Sequence, residues 1–141
     1  MKLVDDHSGI EIIDRAECVR LLGEEVVGRL GFVHRGQPEV LPVNYVLDGD
    51  TVVFRTAEGT KLQGVARSPV VFEIDRVDRL TRSGWSVIIH GMAEEVTSLD
   101  SVALQERVNA LAVDPWAPGE KAHLIRVVAR TITGRRVDNA G

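Results

Sequence analysis

The hydrophobic pattern changes character at Val26. Upstream, Asp14 and Glu17 form a D-x-x-E pair that suits the start of a helix, Cys18, Leu21 and Leu22 fall on one face, and Gly23 suits its end. Residues 1–13 are mixed in character and read as an N-terminal arm. Downstream, apolar and polar positions alternate in short runs separated by turn formers. Residues 28–34, 39–47 and 51–56 read as strands joined at Arg35-Gly36-Gln37-Pro38 and at Asp48-Gly49-Asp50, where Asp-Gly accepts the positive φ of a tight hairpin. Helical spacing returns over residues 60–67, with Leu62, Val65 and Ala66 as its buried stripe, Thr60 as its cap and Pro69 as its stop. Residues 70–75 form the next strand, 76–84 a polar connection, and 85–96 a long strand with Gly91 at a bend or bulge. A helix is predicted over 99–113 behind Ser98. A Pro- and Gly-rich loop follows at 115–119, then a strand at 122–128, and the tail adds at most one short strand more.

Six or seven short strands with a few short helices do not make a doubly wound sheet, which needs helices alternating with strands. They predict a mainly β (α+β) chain, an antiparallel barrel, closed or nearly so, with short helices at its periphery. No linker, repeat or low-complexity tract divides residues 1–141, so one domain is expected.

Composition narrows the function classes. Apolar residues make up 44% of the 141, enough for one core, and 27% are charged, as in ordinary globular domains. A formal net charge of −4 speaks against nucleic acid or an anionic membrane as the main partner. The lone Cys18 forms no internal disulfide, no apolar run is long enough to span a bilayer, and the first residues do not resemble a signal peptide, so a cytoplasmic location is expected. The histidines at 7, 34, 90 and 123 have no metal-ligand spacing, and no metal is expected. No catalytic acid, base or nucleophile stands out.

Two segments carry candidate chemistry. In Phe54-Arg55-Thr56-Ala57-Glu58-Gly59-Thr60-Lys61 a strand delivers a cation and a hydroxyl to a turn, where a second hydroxyl and cation follow. Free amides, hydroxyls and two cations describe a phosphate site, although an ordinary solvated turn has the same composition. In Leu41-Pro42-Val43-Asn44-Tyr45 a proline marks an irregular or edge strand along which a planar, hydrogen-bonding ligand can lie. Packing alone also accounts for Asn44 and Tyr45. Trp85 and Trp116 sit among turn residues, suited to covering a ligand or a subunit boundary.

Taken in order, the segments VVGRLGFV, LPVNYVLDGDTVVFRTAEGTKL, VVFEID and WSVIIHGMAEEV resemble the pyridoxamine 5′-phosphate oxidase-like family of FMN-binding split barrels, over residues 14–137. The resemblance implies a six-stranded Greek-key split barrel and a homodimer with two flavins at its interface. It further implies that Arg55 and Lys61 pair with the FMN phosphate while Thr56 and Thr60 add hydroxyl contacts. Val43, Asn44 and Tyr45 would line the isoalloxazine ring, Ser86 would face the partner's flavin, and Trp85 and Trp116 would help close the site. The function implied is an FMN-dependent oxidoreductase; a deazaflavin F420-dependent reductase and a flavin- or haem-binding carrier or sensor are the alternatives. The C-terminal segment with which true pyridoxamine phosphate oxidases take their substrate has no match here. Position 60, often histidine in nitroimidazole-reductase-like members, is threonine.

Overall fold

The computed structural model describes residues 3–4 and 10–138. The strands are β1 (Leu3–Val4), β2 (Glu11–Ile13), β3 (Val27–His34), β4 (Gln37–Asn44), β5 (Val46–Asp48), β6 (Thr51–Thr56), β7 (Pro69–Asp78), β8 (Ser83–Val96) and β9 (His123–Val137). Among the described residues two α-helices, α1 (Arg15–Leu22) and α2 (Val102–Asn109), accompany the strands. The six long strands run in the sheet order β4-β3-β7-β8-β9-β6, all antiparallel. The chain leaves β4, crosses to β6 beside β9, and returns to β7 beside β3, as a Greek key requires. The curled sheet closes on itself except where β4 and β6 approach each other without pairing. That gap is the split of the barrel.

Local chemistry explains the punctuation. The Asp14 carboxylate accepts the Glu17 amide at 2.9 Å and caps α1. Arg35 and Gly36, both at positive φ, make the two-residue β3–β4 turn, and Gly49 (φ 65°) makes that between β5 and β6. Gly91 lies at a register shift between β8 and β9 and so forms the expected bulge. The interior holds Leu22, Leu30, Phe54, Phe72, Ile74, Ile89 and Ile125, all fully buried. Gly28 makes room for this packing, because a Cβ there would sit 2.1 Å from the Phe72 ring.

Several expectations need correction. The helix over 60–67 is absent: a turn at 57–62 leads into a single 3-10 turn, Gln63–Val65. The hydroxyl expected to cap that helix closes the turn instead. Residues 76–84 are mostly strand, because β7 and β8 continue as a hairpin with its turn at 79–82. The tail continues in one 15-residue strand, β9. The helix expected over 99–113 spans only Val102–Asn109, capped by Ser101 rather than Ser98. Part of the arm predicted at 1–13 lies outside the described residues, as does His7, and the rest contributes β1 and β2, the latter paired with β9. No helix among the described residues is long and apolar enough to cross a membrane.

Candidate functional site

The split of the barrel positions the first group of candidate residues. At the open edge between the ends of β4 and β6 lies a cavity of about 170 Å³ lined by Asn44, Val43, Arg55, Thr56, Thr60 and Lys121, among others. Arg55, half-buried near the end of β6, has no acidic partner among the described residues. The turn beside it is closed from within. The Thr60 hydroxyl donates to Ala57 O (2.9 Å) and accepts the Gln63 amide (3.3 Å), while Gln63 Oε1 accepts the Gly59 amide (2.6 Å). Gly59, at φ 77°, takes a backbone conformation that favours glycine. These bonds leave the amide N–H groups of Thr60, Lys61 and Leu62 without a protein acceptor among the described residues. Of these three residues Thr60 and Leu62 line the cavity together with the unpaired Arg55, and two unaccepted amides with a guanidinium have the composition of an anion cradle.

The hydroxyls have another part. Thr56 is 2% exposed and its Oγ1 lies 2.7 Å from Thr60 Oγ1. Because Thr60 gives its one proton to Ala57, Thr56 donates in that pair, and both hydroxyl protons are committed within the protein. Contacts to an anion therefore fall to the amides and the cations. Lys61, assigned to the phosphate from sequence, forms an ion pair with Glu39 at 2.9 Å and does not line the cavity. Lys121, which the sequence reading missed, does line it, and its ammonium donates to Pro118 O at 2.9 Å. No local pattern ties a lysine in the 115–121 loop to a turn 60 residues earlier in the chain.

Asn44 fixes that loop. Its Oδ1 accepts the Trp116 amide at 2.9 Å, which leaves its NH2 group without a protein partner among the described residues. Trp116 is 70% exposed, and its neighbours Pro115 and Ala117, not Trp116 itself, line the cavity. Val43 is buried and borders the cavity. Tyr45 is placed differently from the expectation. It is 3% exposed, meets Phe72 edge-on at 5.0 Å, and its hydroxyl donates to Leu22 O at 2.6 Å. Burial raises its phenol pKa above the ordinary value, with the Glu25 carboxylate adding to the shift. Its side chain belongs to the core.

Trp85 and Ser86 lie elsewhere in the subunit. They border a groove of about 510 Å³ with Val77, Arg135 and Val137, where Ser86 pairs across the sheet with Asp75 and Arg135. Arg135 and His123 lie 12 residues apart on β9, roughly 40 Å along an extended strand. Trp85 and Ser86 therefore do not share the β4–β6 cavity of their own chain. Nearby, Arg29 bridges Glu73 (2.7 Å) and Asp75 (3.3 Å), and partial burial, together with the hydrogen bond that a protonated Glu73 carboxyl donates to Asp75, raises the Glu73 pKa. The described residues hold no cluster of side chains suited to a metal.

The family model for pyridoxamine 5′-phosphate oxidase matches residues 14–136, most of the chain. The chain belongs to the pyridoxamine 5′-phosphate oxidase-like family. Among solved structures, the FAD-binding protein from Mycobacterium smegmatis is 37% identical, with a TM-score of 0.78 over 90% of this chain and 98% of that one. A conserved protein of unknown function from Corynebacterium diphtheriae, DIP1874, is 32% identical, with a TM-score of 0.73 over 89% of this chain and 96% of that one. The uncharacterized protein Rv0080 of Mycobacterium tuberculosis is 30% identical across 89% of this chain and 84% of its own length. The split barrel and the family suggested by the four sequence segments both stand.

Proposed function

We propose that this member of the pyridoxamine 5′-phosphate oxidase-like family is a flavin-nucleotide-binding oxidoreductase that acts as a homodimer. The observation that carries the reading is the cradle itself, an unpaired Arg55 that shares the cavity at the open edge of the barrel with Thr60 and Leu62, whose amides have no acceptor among the described residues. Arg55 and the amides of Thr60 and Leu62 bind the phosphoryl group, with Lys121 adding charge at the rim. Asn44 offers its free NH2 group to the ring, and the exposed edge of β4 at Val43 runs alongside it. A bound flavin supplies the two-electron chemistry, while the chain supplies binding and orientation. The sequence reading favours FMN. The FAD-binding description of the Mycobacterium smegmatis relative extends the class to FAD, which carries the same ring and a phosphoryl group at the same point.

The size of the cavity argues for a second subunit. At about 170 Å³ it holds a phosphoryl end, but a ligand of flavin size occupies roughly 300 Å³ or more. The ring must lie outside the cavity, where a partner's Ser86 and Trp85 can meet it. The outer sheet face carries Val33, Val40, Val77, Met92 and Val128 exposed to solvent, an apolar surface suited to a second copy.

The test is the identity of the cofactor retained by the purified protein. Flavin absorbance, followed by release of FMN or FAD on denaturation and bleaching by NAD(P)H, is the expected result. Tight binding of F420 alone, a Soret band from haem, or a colourless protein that takes up no supplied flavin would overturn the reading.

A further inference from the structure

The turn that presents the cradle amides is tethered to the neighbouring strands β9 and β8 by a chain of hydrogen bonds. Gln63 holds both ends of the turn, accepting the Gly59 amide on its side chain and giving its own amide to Thr60. Gln63 Nε2 lies 3.3 Å from His123 Nε2, and His123 Nδ1 lies 2.8 Å from Glu95 Oε1. His123 opens β9 opposite Thr56 of β6, so the imidazole sits directly behind the cradle.

The direction of every bond follows from one fixed donor. The Gly59 N–H can only donate, so Gln63 must present its oxygen there and its NH2 group to His123. His123 Nε2 is then an acceptor, and its single proton is on Nδ1, donated to Glu95. A second proton on the ring would set two donors face to face at Nε2. Turning the Gln63 amide over relieves that clash but aims the NH2 group at the Gly59 N–H. Protonation therefore breaks one link of the chain whichever way the amide points.

The charged groups on the surrounding elements are Glu94 and Glu95 on β8, Arg55 on β6, Glu58 and Lys61 in the turn, and Lys121 and Arg126 along the chain of His123 itself. Glu94 is engaged by Arg126 and Lys61 by Glu39, and Glu95 accepts the Nδ1 proton of the ring.

We propose that Glu95, His123 and Gln63 are positioning residues that hold the Thr60 and Leu62 amides on the phosphoryl group only while His123 is neutral. The proposal rests on the phosphoryl reading above and adds its dependence on pH. Loss of one hydrogen bond from the turn weakens binding about threefold to tenfold.

The test compares FMN affinity with riboflavin affinity, by flavin fluorescence, between about pH 8 and pH 5, where histidine side chains change charge. Ionisation of FMN itself, near about pH 6, is common to every variant, so the readout is the difference in slope between variants. In Gln63→Glu a carboxylate accepts both the Gly59 N–H and the ring N–H of a protonated His123. The expected result is that acid weakens FMN binding less in this variant than in wild type, while riboflavin binding shows no such difference. His123→Ala should lose the extra acid sensitivity altogether. If wild type, Gln63→Glu and His123→Ala share one slope while FMN still binds better than riboflavin, the relay is wrong and the cradle stands. If wild type does not prefer FMN to riboflavin at any pH, the phosphoryl reading fails and the relay falls with it.

Discussion

Replacing Tyr45 with phenylalanine separates a residue that holds the barrel together from one that touches a ligand. The Tyr45 hydroxyl donates to Leu22 O, one of the carbonyls that the end of α1 leaves without a helical partner. Tyr45→Phe keeps the edge-on contact with Phe72 and removes one hydrogen bond, leaving a buried carbonyl unpaired. A neutral hydrogen bond contributes about 1 kcal/mol net, and stranding its buried partner raises the cost to about 1–2 kcal/mol. For a chain of this size that lowers Tm by roughly 3–8 °C. The measurement is made on flavin-free protein, because a bound ligand would shift apparent stability by mass action. Flavin affinity should stay within about twofold of wild type, since the hydroxyl faces α1 and not the cradle. An unchanged Tm with flavin affinity reduced tenfold or more would refute the placement of Tyr45 in the core.

The same residue gives a test at alkaline pH. Its raised phenol pKa means that the folded state favours the protonated form, so stability is intact below the ordinary tyrosine value of 10.0 and is lost as pH rises above it. Tyr45 is the single tyrosine, so phenolate absorbance should appear together with unfolding, and Tyr45→Phe should flatten the alkaline decline. At acid pH the carboxylate of Glu17 is held down to about 2 from 4.5, chiefly by its hydrogen bond with Arg20. Its small, solvent-screened contribution is therefore present above 4.5 and lost as pH falls toward 2, and any stability gap between wild type and Glu17→Gln should close over that interval. Gly28→Ala forces a Cβ to 2.1 Å from the Phe72 ring and should cost about 1–3 kcal/mol in urea unfolding. Cys18 is fully buried and its thiol pKa is raised, first by that burial, so a thiol reagent should label it only at the rate of unfolding.

What was legible in the sequence was set locally. The Asp14 cap, the Arg35-Gly36 and Gly49 turns and the Gly91 bulge each depend on a few neighbouring residues, and each stands in the structure. The Greek-key split barrel was implied by a family resemblance spread over most of the chain, while the order of its strands comes from the structure. Patterns that depend on remote partners were misread. Val65 is buried as expected, but Thr60 is held by Thr56 and Ala57 in a way that favours a turn over a helix. Thr131, Thr133 and Arg135 make the tail look polar, although Ile132 and Gly134 alternate with them against the core. Of the candidate site, Arg55, Thr56, Thr60, Val43 and Asn44 come together at the split. Lys61 turns to Glu39 and Tyr45 to Leu22, because the partners that claim them lie more than 20 residues away.

The central claim is that the cradle beside Arg55 grips the phosphoryl end of a flavin. It is tested most directly by titrating flavin-free wild type and Arg55→Ala with FMN and with riboflavin, which differ only in the phosphate. Loss of a charged hydrogen bond of about 1.5–3 kcal/mol predicts that Arg55→Ala weakens FMN binding roughly 10- to 150-fold and leaves riboflavin binding unchanged. Equal FMN affinity in the two proteins, or an equal loss for FMN and riboflavin, would contradict it.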